Sequence, residues 1–153
     1  MTYSPEDLSV FIPLLDPEKR EGTSYIELHA SELPEPHSCW LYGSFFLRDS
    51  AFDFFTESFY LADPDFDYYS FQKLTESEIH VLTSDISSFI ELLRINPTRE
   101  TIFSRYNSLF RKDIWQGIPT DTLASAIISC GEQILNFISQ ETQKSKILWV
   151  LGM

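Results

Sequence analysis

Three aspartates occupy every second position in the stretch LADPDFDYYSF: Asp63, Asp65 and Asp67. Phe66, Tyr68, Tyr69 and Phe71 crowd them, and no lysine or arginine lies nearby. Carboxylates in this setting suit three chemistries: holding a cation, acid–base catalysis, or meeting a basic surface. The D-x-D-x-D spacing opens like an EF-hand loop, which requires Gly at its sixth position and Glu at its twelfth. Tyr68 and Leu74 stand there instead. On a strand the three side chains would share one face about 7 Å apart, and such a row holds a cation only loosely. No metal and no cofactor is expected, and a metal-dependent enzyme built on the row ranks last among the readings.

The other reactive residue types are equally sparse. Asp53, Glu57, Glu76 and Glu78 could pair for acid–base work only if the fold converged them, and exposed acids are the simpler reading. His37 and Cys39 sit two apart, but no second pair follows at zinc spacing. A Cys39–His80 nucleophile pair has no local support, and Cys130 falls on an apolar helical stripe as a small core residue. The five glycines do not cluster, so no Walker A, G-x-G-x-x-G or G-x-S-x-G pattern exists. An enzyme is not expected.

What remains is a surface. Asp49, Asp53, Glu57, Asp63, Asp65 and Asp67 are interleaved with Tyr60, Tyr68 and Tyr69. Aromatic anchors among charges are common where proteins bind one another. If the acids lie on the open face of a sheet, they form a negative patch suited to a basic protein. The opposing possibility is that the tyrosines are half-buried core and the acids only solubilise.

Charge supports the first view. The net charge is −12, and residues 1–80 carry all of it, with sixteen acids against four bases. Residues 81–153 are balanced. A field of this sign repels nucleic acid phosphates, so no direct nucleic-acid contact is expected. Two distant cysteines make no disulfide framework, and the N-terminus carries no signal-peptide pattern, which points to a reducing cytoplasm. No stretch approaches the ~20 apolar residues of a membrane helix.

The elements that must position these residues change character near residue 75. At 43% apolar and 15% aromatic, the 153 residues suffice for one domain, 1–153, with a real core. Ser4 and Pro5 could open a short helix turn. Residues 23–30, 39–47, 52–62 and 66–74 read as strands, with RDSA (48–51) as a hairpin connection and DPD as a turn. Thr75 and Glu78 form a capping box. Ile79, Leu82, Ile86, Phe89, Ile90 and Leu93 continue it as one stripe. Thr98 caps a second helix with Ile102, Phe103, Tyr106, Leu109 and Phe110 on its stripe. A third begins near Pro119–Asp121 and carries Leu123, Ile127, Cys130, Ile134, Phe137 and Ile138. The run ILWVL (147–151) is a last strand or a docked tail. Strands first and helices second imply an α+β fold: an N-terminal, mainly antiparallel β-meander with about three C-terminal helices packed on it.

The run FDYYSFQKLTESEIHVL, Phe66 to Leu82, joins a tyrosine-rich strand, a threonine and an acidic helix start. It resembles a run in small immunity proteins of bacterial toxin systems, including contact-dependent inhibition and related polymorphic toxins. That resemblance implies binding to one cognate protein toxin, often a basic nuclease, and blockage of its active site or an exosite. It assigns no residue. The alternatives are another acidic binding or assembly module and a nucleic-acid mimic, the latter favoured by phosphate-like spacing of charge along an elongated face.

Overall fold

The computed structural model describes residues 5–106 and 112–152. Strands β1 (Tyr25–His29), β2 (Phe45–Arg48), β3 (Phe71–Leu74) and β4 (Leu148–Leu151) form one sheet in the order β2-β1-β4-β3. Every pairing in it is antiparallel. Short helices α1 (Asp49–Phe52) and α2 (Thr56–Ala62) follow β2. Beyond β3 come α3 (Glu76–Ile95), the short α4 (Arg99–Phe103) and α5 (Thr120–Ser145). The fold is α+β with an antiparallel sheet.

Its connectivity departs from a meander. β1 pairs with β2 and β3 pairs with β4, but the two hairpin-like pairs join through β1 and β4, so β2 and β3 are not neighbours. The C-terminal run is therefore an inner strand, and Leu148, Val150 and Leu151 are buried in it. A strand pairs with whatever partner buries its apolar side chains, and sequence order does not fix that choice.

The strand expected over 52–62 is helical instead. Phe52, Phe55 and Phe59 recur at steps of three and four, and that face is buried with Ser58 and Ala62. The rings of Phe52 and Phe59 lie 4.8 Å apart by centroid. Alternating Phe52 and Phe54 mimic a strand, but the helical period wins because it places three phenylalanines on one core. RDSA is accordingly no hairpin connection: Arg48 ends β2 and Asp49 starts α1. The expected strands over 39–47 and 66–74 shrink to Phe45–Arg48 and Phe71–Leu74, each preceded by turns.

The first and third expected helices form, whereas the second ends at Phe103, so that Tyr106 lies beyond it. Thr75 caps α3 reciprocally with Glu78, and all six residues of the expected stripe are buried. Thr98 caps α4 by accepting from the Thr101 N–H. On α5, Leu123, Ile127, Cys130, Ile134 and Ile138 are buried, while Phe137 is half-buried against Phe45 at 5.3 Å. Ser4, Leu109 and Phe110 lie outside the described residues. Helices α3 and α5 pack backbone-close at Gly131, where a Cβ would stand 2.5 Å from Ile90 Cδ1.

The register sets two faces on the sheet, because side chains alternate along each strand. Phe45, Leu47, Ile26, Leu28, Leu148, Val150 and Leu74 point to the helices and join the main core. Tyr25, Glu27, His29, Phe46, Leu151, Trp149, Phe71 and Lys73 share the outer face. Most of that face is buried too, because the chain between β1 and β2 folds over it. Among the described residues no helix is long and apolar enough to cross a membrane.

Candidate functional site

The strand termini Tyr25, Arg48, Phe71 and Leu151 meet at one end of the sheet, as the pairs Tyr25↔Arg48 and Phe71↔Leu151 require. The chain leaves β2 into α1 and returns to β3 at this same end. The expected surface residues therefore gather around a sheet end and two short helices. They do not lie on an open sheet face, because the segment that carries them is not a strand.

Their environments differ. Asp53 is buried, with 8% exposure, and Asp49 is half-buried. Burial pushes the Asp49 carboxyl up, against the pull of the Ser50 N–H and the Arg48 charge. Tyr68 is half-buried against Phe52, with centroids 5.8 Å apart. Burial raises its hydroxyl pKa strongly, and the charges of Asp49 and Asp53 add to this. Asp49, Asp53 and Tyr68 thus form a partly desolvated floor. Around it lie the solvated groups: Glu57, Asp65, Asp67 and Tyr69 are exposed, and Tyr60 and Asp63 are half-buried. The Tyr69 ring, 60% exposed, packs edge-on against Tyr68 at 5.1 Å. Tyr60 packs edge-on against Phe66 at 5.3 Å. Leu61 adds a large exposed apolar group, at 59%.

The three spaced aspartates do not form a row. Asp63 Oδ1 accepts the Asp65 N–H at 3.0 Å, and Asp67 Oδ1 accepts the Tyr69 N–H at 3.0 Å. Asp63 also ends α2. These are Asx turns, in which the aspartate fixes the backbone two residues on. Gln72 straps the second turn by accepting the Asp67 N–H at 2.9 Å and donating to the Asp67 carbonyl at 2.6 Å. Asp63, Asp65 and Asp67 have no ion-pair partner among the described residues. No group of three or more His, Cys, Asp or Glu side chains there is placed to hold a metal ion. The turn is locked to the sheet from behind: the Gly152 N–H donates to Ser70 at 3.0 Å, and a Cβ on Gly152 would meet the Tyr68 carbonyl at 2.0 Å.

A second ordered feature escaped the sequence reading. Glu27, 2% exposed in the middle of β1, accepts the Trp40 N–H at 2.7 Å, the Leu41 N–H at 3.0 Å and the Ser44 hydroxyl at 2.6 Å. Since Ser44 spends its one proton on Glu27, His29 must donate from Nδ1 to Ser44 Oγ, 2.7 Å away. Its Nε2 then accepts from Ser31 Oγ at 2.9 Å. Every polar atom in this chain of bonds is used, and Ser44 is 1% exposed. A Glu, Ser and His in contact suggest nucleophilic catalysis, but the hydroxyl is closed to substrate and pinned between two partners. The network is a latch that ties the loop 30–44 onto the sheet. Trp40 completes it by stacking on Phe46 at 5.6 Å, with the Arg20 guanidinium 4.6 Å over its own ring. The one sequence signal was Glu27 inside the apolar run YIELH, which reads equally well as an acid on a solvated face.

The cysteines are quiet. Burial and the Glu27 charge raise the Cys39 thiol, and burial pushes Cys130 up to about 12. Both stay protonated at neutral pH, and a thiol is a poor nucleophile. Cys39 lies in the outer loop, whereas His80 is on α3 across the sheet. The pair is not assembled. Trp149 Nε1 is buried without a hydrogen-bond partner among the described residues, at a cost of about 1–3 kcal/mol.

Comparison with protein-family models, with curated proteins and with solved structures gave no match.

Proposed function

We propose that this protein is an immunity-type inhibitor that works in the cytoplasm by binding one basic protein toxin. The observation that carries the reading is the sheet end just described: the exposed Asp65 and Asp67 and the half-buried Asp63, without ion-pair partners among the described residues, set beside the exposed Tyr69 and Leu61. The reading assigns no catalytic role to any residue and requires no metal or cofactor. It is supported by what the site is built to present. The Asx turns and the Gln72 strap hold the carboxylates outward on a fixed backbone, so little ordering entropy is lost on binding.

The mechanism is steric and electrostatic. Acids of one sign steer a basic surface and raise the association rate toward ~10⁸–10⁹ M⁻¹s⁻¹ at low salt. Tyr69 and Leu61 then lose their water against the partner and set the dissociation rate. The occluded toxin surface cannot reach its substrate.

Kinetics test the division of labour. Asn substitutions keep the turn-forming oxygens of Asp63 and Asp67 and, with Asp65→Asn, remove only charge. They should slow association and flatten its salt dependence. Tyr69→Ala should leave association nearly unchanged and speed dissociation by tenfold or more, which corresponds to about 1.4 kcal/mol. Loss of neither rate in either variant, against a partner the protein does bind, places the contact elsewhere.

A further inference from the structure

The latched loop borders an open pocket on the outer face of the sheet that the acidic end does not use. It measures about 430 Å³ and is lined by Leu33, His37, Phe71 and Trp149, with carboxylates from Glu32 and Glu35. Its volume is within the range of small-ligand sites. The His37 and Phe71 rings stand 5.8 Å apart at 50°. His37 holds φ 61, a left-handed conformation that non-glycine residues adopt uncommonly. The turn around it is fixed: Ser38 donates from N and from Oγ to the Glu35 carbonyl, and its Oγ accepts the Glu35 N–H at 3.0 Å. The walls are therefore pre-formed.

The chain itself shows which charge suits this place. Lys73 Nζ lies 2.6 Å from Glu32 Oε1 and 6.0 Å from the Trp149 ring centroid. One intramolecular cation thus already uses one carboxylate and one aromatic face at the edge of the cavity. Glu35 has no ion-pair partner among the described residues. Aromatic faces carry negative potential and attract cations, and a nearby carboxylate reinforces the attraction.

We propose that this cavity receives the side chain of an arginine presented by a polypeptide partner, stacked on the aromatic walls and bonded to Glu35. Arginine fits better than lysine because its guanidinium is planar, stacks on rings and is weakly hydrated, and its fork can give two parallel N–H bonds to the single Glu35 carboxylate. Its methylene stem packs on Leu33. The inference rests on the basic-partner reading for its biological source, and it gives that partner a second, specific point of contact away from the steering acids.

The test uses the full chain, nitrogen-15 labelled, titrated with N-acetyl-arginine amide. The indole N–H of Trp149 is followed beside those of Trp40 and Trp115. Saturable movement of the Trp149 indole and of the His37 and Phe71 amides is expected, with the Trp115 indole still. N-acetyl-lysine amide should bind several-fold more weakly. Glu35→Gln, at an exposed position, should weaken binding about fivefold, while Asp65→Asn should leave it unchanged. Non-saturating shifts spread over all the acidic residues, or equal binding by Glu35→Gln, would overturn the inference. The two readings fail separately. Arginine binding without any basic protein partner removes the proposed function alone. A basic partner whose affinity ignores Glu35→Gln removes the cavity alone.

Discussion

The Ser44 hydroxyl donates to Glu27 Oε2 at 2.6 Å, with both residues almost wholly buried. This contact and the two backbone bonds beside it decide whether the loop 30–44 covers the sheet. Glu27→Ala should therefore cost about 3 kcal/mol, because it orphans two backbone donors and a hydroxyl at once. Glu27→Gln keeps the shape but sets amide hydrogens against those donors and should cost about half as much. Urea unfolding measures both, and the fluorescence of Trp40 reports release of the loop before the global transition.

His29 gives the latch a pH dependence whose sign follows from burial. Burial lowers its pKa below the ordinary 6.5, and the Glu27 charge only partly restores it. The folded state favours neutral His29, the form in which Nδ1–H donates to Ser44 Oγ and Nε2 accepts from Ser31 Oγ. Stability is thus full above about pH 6.5 and is lost as pH falls from there through the lowered folded value. The urea midpoint should drop between pH 7 and pH 5.5 in the native chain. His29→Gln should be less stable at pH 7 and should show a flatter profile over that interval.

Helices α3 and α5 approach through Gly131. An added methyl would sit 2.5 and 2.9 Å from Ile90 Cδ1 and Cγ1, and 3.2 Å from Phe55 Cε1. Gly131→Ala should destabilise by about 1–3 kcal/mol, the usual cost of overpacking a tight core. Adding Ile90→Val removes the nearest atom and should recover part of the loss. Denaturant midpoints of the single and double variants measure the coupling.

Asp49 separates stability from binding. Its carboxyl is pushed up chiefly by burial, so its charge opposes folding at neutral pH. Asp49→Asn keeps the acceptor for the Ser50 N–H and should raise Tm by a few degrees at pH 7. The sign is fixed: a folded pKa above the unfolded one is a penalty at high pH that vanishes as pH falls below about 3.8. If Asp49 contributes to the partner surface, the same variant binds more weakly while melting later. Thermal scans and binding on one sample measure both.

The long helices were legible because six apolar side chains recur on one stripe of α3 and a capping box marks its start; local signals sufficed. The segment 49–70 was not, because Phe52, Phe54 and Phe55 satisfy both a period of two and a period of 3.6. Only the core they fill, with Phe89 against Phe55 at 6.2 Å and Trp115 against Phe54 at 5.4 Å, decides between them. The place of β4 between β1 and β3 was equally hidden, since pairing partners more than seventy residues apart leave no local trace. The division of the acids and tyrosines into a desolvated floor of Asp49, Asp53 and Tyr68 and a more solvated rim was not legible either, because it depends on that helical turn. The cavity beneath His37 was invisible because it joins a loop, β3 and β4.

The central claim is tested most directly by paired affinity capture from the source organism. The native chain and the Asp63→Asn, Asp65→Asn, Asp67→Asn triple variant serve as baits, with washes stepped from low to high salt. The account expects one stoichiometric basic protein on the native bait, lost from the triple variant at lower salt. Identical retention on both baits, several unrelated DNA-binding proteins, or no stoichiometric partner would contradict it.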